Sequence, residues 1–411
     1  MNHSPAPTRG WGLLVGLALV TVALFAAYNG VLSVLLPLQV AGIAPDDKVA
    51  SLALITSVSF AATALAQPLF GALSDRTRSR WGRRIPWMVA GAVVGSAALV
   101  AMGGVQSIAL LVVLWAVAQF ALNGTDIASS VYLVDAFPSE RRGRVAGVFG
   151  ISAIAGGAVG AVVAGMLGSS IAQGYVLFAA AVLLGVALFV VVFRERQPVA
   201  QEAPEPFALG AFLRAFWVSP RRHPDFAWVL VWRVLFTVGY GVVQSFLLYL
   251  LTDHVGVTAE AAPGLIGLVT VVGGVGVVLA VVIGGWASDI LGRRKPFLIA
   301  ACALVAVVDV VVFAAPTVGG IFALGAALGV GFGLAVACGT ALASDVLPDP
   351  TRGAARGLGV FNLGTNVGQA VAPLLAAVVI SSLGGYASLF VASALIMVVA
   401  TGTVFAIRGQ R

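Results

Sequence analysis

Apolar residues run along the chain in long blocks separated by short polar or glycine- and proline-bearing segments. A helix crossing the hydrocarbon core of a bilayer needs about 20 mostly apolar residues, and twelve blocks meet that length. They predict transmembrane helices at 11–38, 48–73, 86–104, 107–135, 144–168, 174–193, 225–251, 260–285, 296–314, 318–345, 357–380 and 385–407. The first block exceeds the apolar core of a signal peptide and is read as a retained span. Most connections are short. The exception, 194–224, opens on RERQPVAQEAPEP, a polar linker rich in Pro and Glu, and continues as FALGAFLRAFWVSPRRHP. Phe212, Phe216 and Trp217 beside Arg214 suit a helix lying on a membrane surface. The pattern therefore predicts an all-α membrane protein of two six-helix bundles, 1–193 and 225–411, joined by a linker at 194–224.

Composition agrees: 60% of residues are hydrophobic, 9% are charged, and mean hydropathy is +1.05, far from soluble globular usage. A net charge of +7 could suggest nucleic acid, so the placement of the charges decides. An even number of crossings puts both ends of the chain on one side. Of the 23 Lys and Arg, all but Lys48 and Arg233 then fall on that side, in the loops or at the ends of the chain. That asymmetry is the positive-inside signature of a multi-pass protein with both termini cytoplasmic, in the cell membrane, and it removes the need for a nucleic-acid partner. Cys302 and Cys338 lie in apolar runs outside any CxxC spacing, so no disulfide framework, metal cluster or cofactor is expected.

The basic loops also repeat. GALSD at 71–75 returns as GWASD at 285–289, and GRR at 82–84 returns within GRRK at 292–295. DAFPSERRGRVAG at 135–147 returns as DVLPDPTRGAARG at 345–357, pairing Asp135 with Asp345 and Arg142 with Arg352 at an offset of 210 residues. Two matches at nearly one offset mark parallel six-helix repeats, the organisation of a two-bundle transporter. These motifs resemble the major facilitator superfamily, whose signature between helices 2 and 3 is G-x-x-x-D-R-x-G-R-R/K, with a degenerate copy between helices 8 and 9. The longer form here, SDRTRSRWGRRIPW, is most similar to the glycoside-pentoside-hexuronide cation symporters and the related sucrose transporters. The resemblance implies a gating latch of Asp75, Arg76, Arg83 and Arg84, with Asp289, Arg293 and Arg294 as its second copy. In such a latch Asp75 faces the positive N-terminal end of helix 11 and the arginines hold it in place.

Polar side chains inside spans are costly and usually face a cavity. On helix 7, Arg233, Thr237, Tyr240 and Gln244 are spaced 4, 3 and 4, which places them within roughly 60° on one face. Asn362, Asn366 and Gln369 repeat the pattern on helix 11, and Asn123, Asp126 and Ser130 share a face of helix 4. Tyr28 and Asn29 lie near the middle of helix 1. The resemblance implies that helices 1, 4 and 7 line a central cavity bordered by helix 11, which makes these residues candidate substrate ligands. Asp126, the acidic residue deep within a cavity-lining helix, is the candidate cation-coupling group. Both Asp126 and Arg233 sit about 12–14 Å inside the helix ends that face the basic side, so they could pair across one layer. The alternative for these stripes is glue between helices, worth about 0.6 kcal/mol each. Asp309, near the outer end of helix 9, is expected to snorkel to water, and His254 to lie in the external turn after helix 7.

The chain has no G-x-x-x-x-G-K-[ST] phosphate loop, so a gradient rather than ATP must drive transport. Asp46 and Asp47 form an isolated acidic pair at an external turn, which argues against a membrane enzyme. Drug export by proton antiport is the main rival. The sequence lacks both marks the resemblance implies for that class: helix 4 has no arginine, and helix 5 reads AGGAVGAVVAG with no proline. A non-transporting assembly factor or receptor on the same fold is a lesser alternative. The sequence therefore predicts a monomeric secondary transporter that imports a sugar or similar small polar solute with H+ or Na+.

Overall fold

The computed structural model describes residues 7–193, 219, 221–347 and 354–408, and all regular structure among them is helical. Among the described residues, twelve helices are long and apolar enough to cross a membrane. We label them α1 (Trp11–Ile43), α2 (Lys48–Arg76), α3 (Ile85–Met102), α4 (Ile108–Ala136), α5 (Glu140–Met166), α6 (Ile171–Phe193), α7 (Pro224–Gln244), α8 (Ala262–Leu291), α9 (Lys295–Ala314), α10 (Val318–Asp345), α11 (Gly357–Ser382) and α12 (Ala387–Phe405). The expected surface helix after residue 206 falls almost wholly outside the described residues, as do Pro348, Arg352 and Gly353 of the second repeat.

Most ends match the apolar blocks within a few residues, because the first charged or proline-bearing turn stops each helix. α3 and α9 begin with Pro in the first turn, where its missing N–H costs nothing. One expectation is corrected. Helix 7 was expected to be continuous to residue 251, but its regular part ends at Gln244. The chain breaks at Ser245 and Phe246 and resumes as a short turn, Leu247–Tyr249, and a π-helical turn, Leu250–His254. His254 is therefore part of the helical continuation of α7. Further π-helical turns interrupt α1 at Val31–Leu35 and α8 at Ala280–Gly284.

The chain divides into two compact units, one drawn from residues 1–48 and 58–204 and the other from 49–57 and 205–411. Within the first, α1 packs on α5 and α6, and α3 packs on α4 and α6. Within the second, α7 packs on α11 and α12, and α9 packs on α10 and α12. The same helix pairs recur in each unit, so the sequence repeat extends to the packing. Without a hydrophobic force to join helices inside lipid, close approach must come from small residues. Gly160 of α5 supplies it: a Cβ there would strike the carbonyl of Ala26, and at Gly156 the backbone of Val22.

Candidate functional site

At the helix ends that carry the arginines, termed the basic end, Arg84 joins two helices of the first unit. Ser74 and Asp75 lie in the last turn of α2, and Asp135 lies at the end of α4. The intervening loop turns at Gly82, whose φ of 83° is a left-handed conformation that glycine adopts without strain. That turn brings Arg84 back over α2. Its Nη2 lies 2.7 Å from Asp75 Oδ1, its Nε 3.2 Å from Asp135 Oδ2, and its Nη1 donates to Ser74 Oγ at 2.6 Å. Arg83 reaches Asp135 at 3.3 Å, and Trp87 Nε1 donates to Thr77 Oγ1 at 2.7 Å. Arg76 donates to the Ala72 carbonyl of its own helix at 3.4 Å. A buried guanidinium at two helix C-termini also meets the negative ends of both dipoles.

The second unit repeats this construction. Ser288 and Asp289 end α8, Gly292 turns the chain with φ 61°, and Asp345 ends α10. Arg294 Nη1 lies 2.5 Å from Asp289 Oδ1 and donates to Ser288 Oγ at 2.6 Å, but its Nε stands 4.0 Å from Asp345 Oδ2. This copy is looser and wetter, with the Arg294 side chain 21% exposed against 6% for Arg84. Arg293 is exposed. Next to Arg294, Lys295 Nζ donates to the Ile407 carbonyl at the end of α12 at 2.6 Å.

Inside the first unit, Tyr28 and Asp126 come within electrostatic reach of each other from α1 and α4. The Tyr28 hydroxyl and Asp126 Oδ1 are both buried and have no hydrogen-bond partner among the described residues. Phe25 meets the Tyr28 ring edge-on at 5.7 Å. Asn29 packs its amide over Gly157 of α5, where any side chain would displace it. Asn123 is engaged otherwise: its Nδ2 donates to Thr63 Oγ1 at 3.2 Å and to the Gln119 carbonyl at 2.8 Å, tying α4 to α2.

In the second unit, Arg233 is 5% exposed and held by two other helices. Its Nε donates to Thr365 Oγ1 of α11 at 2.8 Å, its Nη1 to the Ala335 carbonyl of α10 at 3.4 Å, and its guanidinium lies 5.1 Å from the Phe361 ring centroid. Thr237 is buried and bonds back to the Arg233 carbonyl at 2.8 Å. Tyr240 lies against Phe332 of α10 with centroids 5.4 Å apart. Gln244 is half-buried, Asn366 is buried and Asn362 is exposed. Asp309 corrects a further expectation, since it is fully buried rather than reaching water.

Sequence reasoning found the two repeated motifs but not that Arg84 joins them through Asp135, nor the role of Ser74 and Ser288. It also missed Thr365 and Phe361. Their spacing of four on α11 was the available signal, since it puts both on one face. Gln39 was missed as well. Its Nε2 donates to the carbonyls of Met102 at 2.8 Å and Val105 at 3.1 Å, while its Oε1 accepts from Tyr175 at 2.8 Å, a buried lock at the opposite end of the first unit.

Known proteins give this arrangement a context. A bacterial homolog of the human lysosomal transporter Spinster, in an inward-facing and unoccupied conformation, superposes with a TM-score of 0.73. It has 15% identity and the match covers 98% of both chains. The nucleoside transporter NupG gives a TM-score of 0.75 at 15% identity, covering 97% of this chain and all of that one. At these identities the likeness is one of fold. Two shorter sequence matches exist. An uncharacterized symporter of Synechocystis sp. is 63% identical over 30 residues, which is 7% of this chain and 6% of that protein. Mouse (Mus musculus) solute carrier family 45 member 4 is 34% identical over 114 residues, 24% of this chain and 14% of that protein. The matched part thus spans only a small fraction of either relative. The family model of the major facilitator superfamily matches residues 17–263 and 245–409, and with twelve spans in the corresponding fold the chain belongs to the major facilitator superfamily.

Proposed function

We propose that the chain is a secondary active transporter that imports a sugar or similar small polar solute together with H+ or Na+ by alternating access. The observation that carries this reading is the Tyr28–Asp126 pair. A carboxylate oxygen and a phenol hydroxyl from two helices of the first unit lie within electrostatic reach inside the spans, and neither has a hydrogen-bond partner among the described residues. Polar atoms left so in a membrane interior are expensive and belong to sites that bind something. A cation at Asp126 satisfies its oxygen. Tyr28 and Asn29 in the first unit, and Arg233, Tyr240, Gln244, Asn362 and Asn366 in the second, carry phenol, amide and guanidinium groups that suit a hydroxyl-rich solute, with an aromatic surface in Tyr240.

In this reading the Arg84 and Arg294 clusters are the two copies of a cytoplasmic latch. Asp75 and Asp289 are held ready at the ends of α2 and α8 as the carboxylates of that latch. The latch orders its own unit through Arg84 and gates through the exposed Asp75 carboxylate, whose side chain is 62% exposed. Both termini are cytoplasmic, the protein sits in the cell membrane, and one chain suffices for transport.

The test is uptake into proteoliposomes with an imposed proton or sodium gradient, using labelled sugars, polyols and nucleosides. The last are included because NupG shares the fold. Accumulation of a hydroxyl-rich solute above equilibrium, abolished when the gradient is collapsed, is the expected result. Gradient-driven efflux of a lipophilic cation with no accumulation of any solute in the panel would overturn it in favour of drug export.

A further inference from the structure

Asp309 lies in α9 on the buried stripe Cys302, Val305, Asp309 and Val312, whose spacing of 3, 4 and 3 turns one face of the helix inward. The residue is 0% exposed, and neither carboxylate oxygen has a hydrogen-bond partner among the described residues. Across the seam, Ser393 of α12 is also 0% exposed, and its Oγ is likewise without a partner. Ser393 is the polar side chain within interaction range of Asp309, although no well-aligned hydrogen bond yet joins them.

Among the described residues, the helices around Asp309 offer no paired counter-charge. α12 has no ionisable side chain at all. On α10 the ionisable groups are Asp345 at the far end and Cys338, whose thiol donates to the Gly284 carbonyl. On α9 itself, Lys295 is bound to Ile407 at the other end, and Cys302 is two turns away. From the continuation of α7, Asp253 accepts from Thr252, and His254, whose Nε2 also has no hydrogen-bond partner among the described residues, has its ring centroid 6.1 Å from that of Phe390. Taking an ionised carboxylate into such a place with no cation and no donor would cost far more than the helix packing returns.

We propose that Asp309 and Ser393 form a proton-binding site separate from Asp126. The bound proton sits on the carboxyl group, and its O–H donates to Ser393 Oγ. Exchange needs the α9–α12 seam to part, so that the proton passes to water and the carboxylate left behind is hydrated. The outer flank of the seam is an apolar groove of about 510 Å³ lined by Val310, Phe313, Phe390 and Ala394, each within four residues of Asp309 or Ser393. Asp309 is five residues, about 7.5 Å, from the end of α9 at Ala314, but fourteen residues, about 21 Å, from Lys295. The proton therefore exchanges with the side opposite the basic end.

Infrared difference spectroscopy of the full chain in lipid nanodiscs tests this without any substrate, so its outcome is independent of whether Asp126 couples transport. The parent protein should show a carboxylic-acid carbonyl band that Asp309→Asn removes and Asp126→Asn leaves in place. Ser393→Ala should retain the band and move it to higher frequency, as a carbonyl does when its acid loses a hydrogen-bond partner. If Asp309→Asn instead removes ionised-carboxylate bands, the residue is charged and the proposal fails. Should Asp309→Asn not fold, Ser393→Ala decides alone, and an unchanged carbonyl region in that variant overturns the proposal.

Discussion

Arg84 bonds Asp135 across 51 residues of sequence, with Nε 3.2 Å from Oδ2, while its other arm holds Asp75 at 2.7 Å. Arg294 holds Asp289 as closely but stands 4.0 Å from Asp345. The two arginines occupy matching positions in the repeat, so their difference is a difference of construction. Hydrogen bonds to charged groups contribute about 1.5–3 kcal/mol when buried and much less when wet. Arg84→Ala should therefore destabilise by about 2 kcal/mol and Arg294→Ala by about half that, read as shifts in thermal unfolding of the purified protein. Arg84→Lys should resemble Arg84→Ala, because an ammonium cannot serve Ser74, Asp75 and Asp135 together. Equal losses for Arg84→Ala and Arg294→Ala would refute the asymmetry.

Asp75 is exposed and already has an arginine partner, so its neutralisation should spare the fold and affect the gating step. Asp75→Asn is expected to bind substrate with affinity within about threefold of the parent, a difference under 1 kcal/mol, while turnover in proteoliposomes falls at least tenfold. Loss of equilibrium binding in this variant would mean that the residue belongs to the ligand site rather than to a latch.

The spans, their order and the repeat were legible because each rests on a property of short stretches. An apolar block of bilayer length is a helix whatever it packs against, and α10 runs over 318–345 as the pattern predicts. Side-chain partnerships were not legible, because they depend on how helices are rotated and which ends meet. Asn123 and Asp126 share a face of α4, yet one is engaged with Thr63 and the other is not. Asp309 was expected to snorkel because it is near a helix end. The rotation of α9 instead points it inward, which the buried spacing of Cys302, Val305 and Val312 could have indicated. The break in α7 after Gln244 left no mark, since Ser245 and Phe246 suit a helix well enough.

Gly160 and Gly156 allow α1 and α5 to touch through their backbones, whereas Gly147 and Gly150 on the same helix have nothing within 4 Å of a Cβ. Overpacking a tight contact costs about 1–3 kcal/mol. Gly160→Ala should therefore lower thermal stability by that amount, while Gly150→Ala, which relieves the low helix propensity of glycine, should be neutral or slightly stabilising. Indistinguishable melting of the two variants would show that the close approach contributes nothing.

Thr365 fixes the direction of the Arg233 guanidinium through the 2.8 Å bond to Nε. Thr365→Val removes that bond while keeping the shape, and should cost about 1.5–3 kcal/mol as a lost hydrogen bond to a charged group. If Arg233 is a substrate ligand, affinity should fall about tenfold with it, and Arg233→Lys should fall further, since a lysine cannot both hold Thr365 and lie over Phe361. Unaltered affinity in Thr365→Val, with the stability loss present, would confine Arg233 to a structural role in its own unit.

Asp126 supplies the sharpest test of coupling. Its buried oxygen, within electrostatic reach of Tyr28, has no hydrogen-bond partner among the described residues, so a bound cation is the partner the proposed mechanism gives it. In the proposed mechanism the carrier reorients when the site is either filled by both solutes or neutralised and empty. Asp126→Asn imitates the neutral form permanently. It should exchange labelled for unlabelled substrate at equal concentrations at a rate within about threefold of the parent, under 1 kcal/mol of barrier, yet fail to accumulate substrate when a gradient is imposed. Arg233 keeps Thr365, Ala335 and Phe361 within its own unit, so the fold should not suffer. Tyr28→Phe removes the neighbouring hydroxyl and should retain accumulation with a shifted dependence on pH or sodium, because one partner of the site is lost but the charge remains. Exchange and thermal stability lost together in Asp126→Asn would identify a structural carboxylate, and accumulation against a gradient in that variant would remove Asp126 from the coupling mechanism.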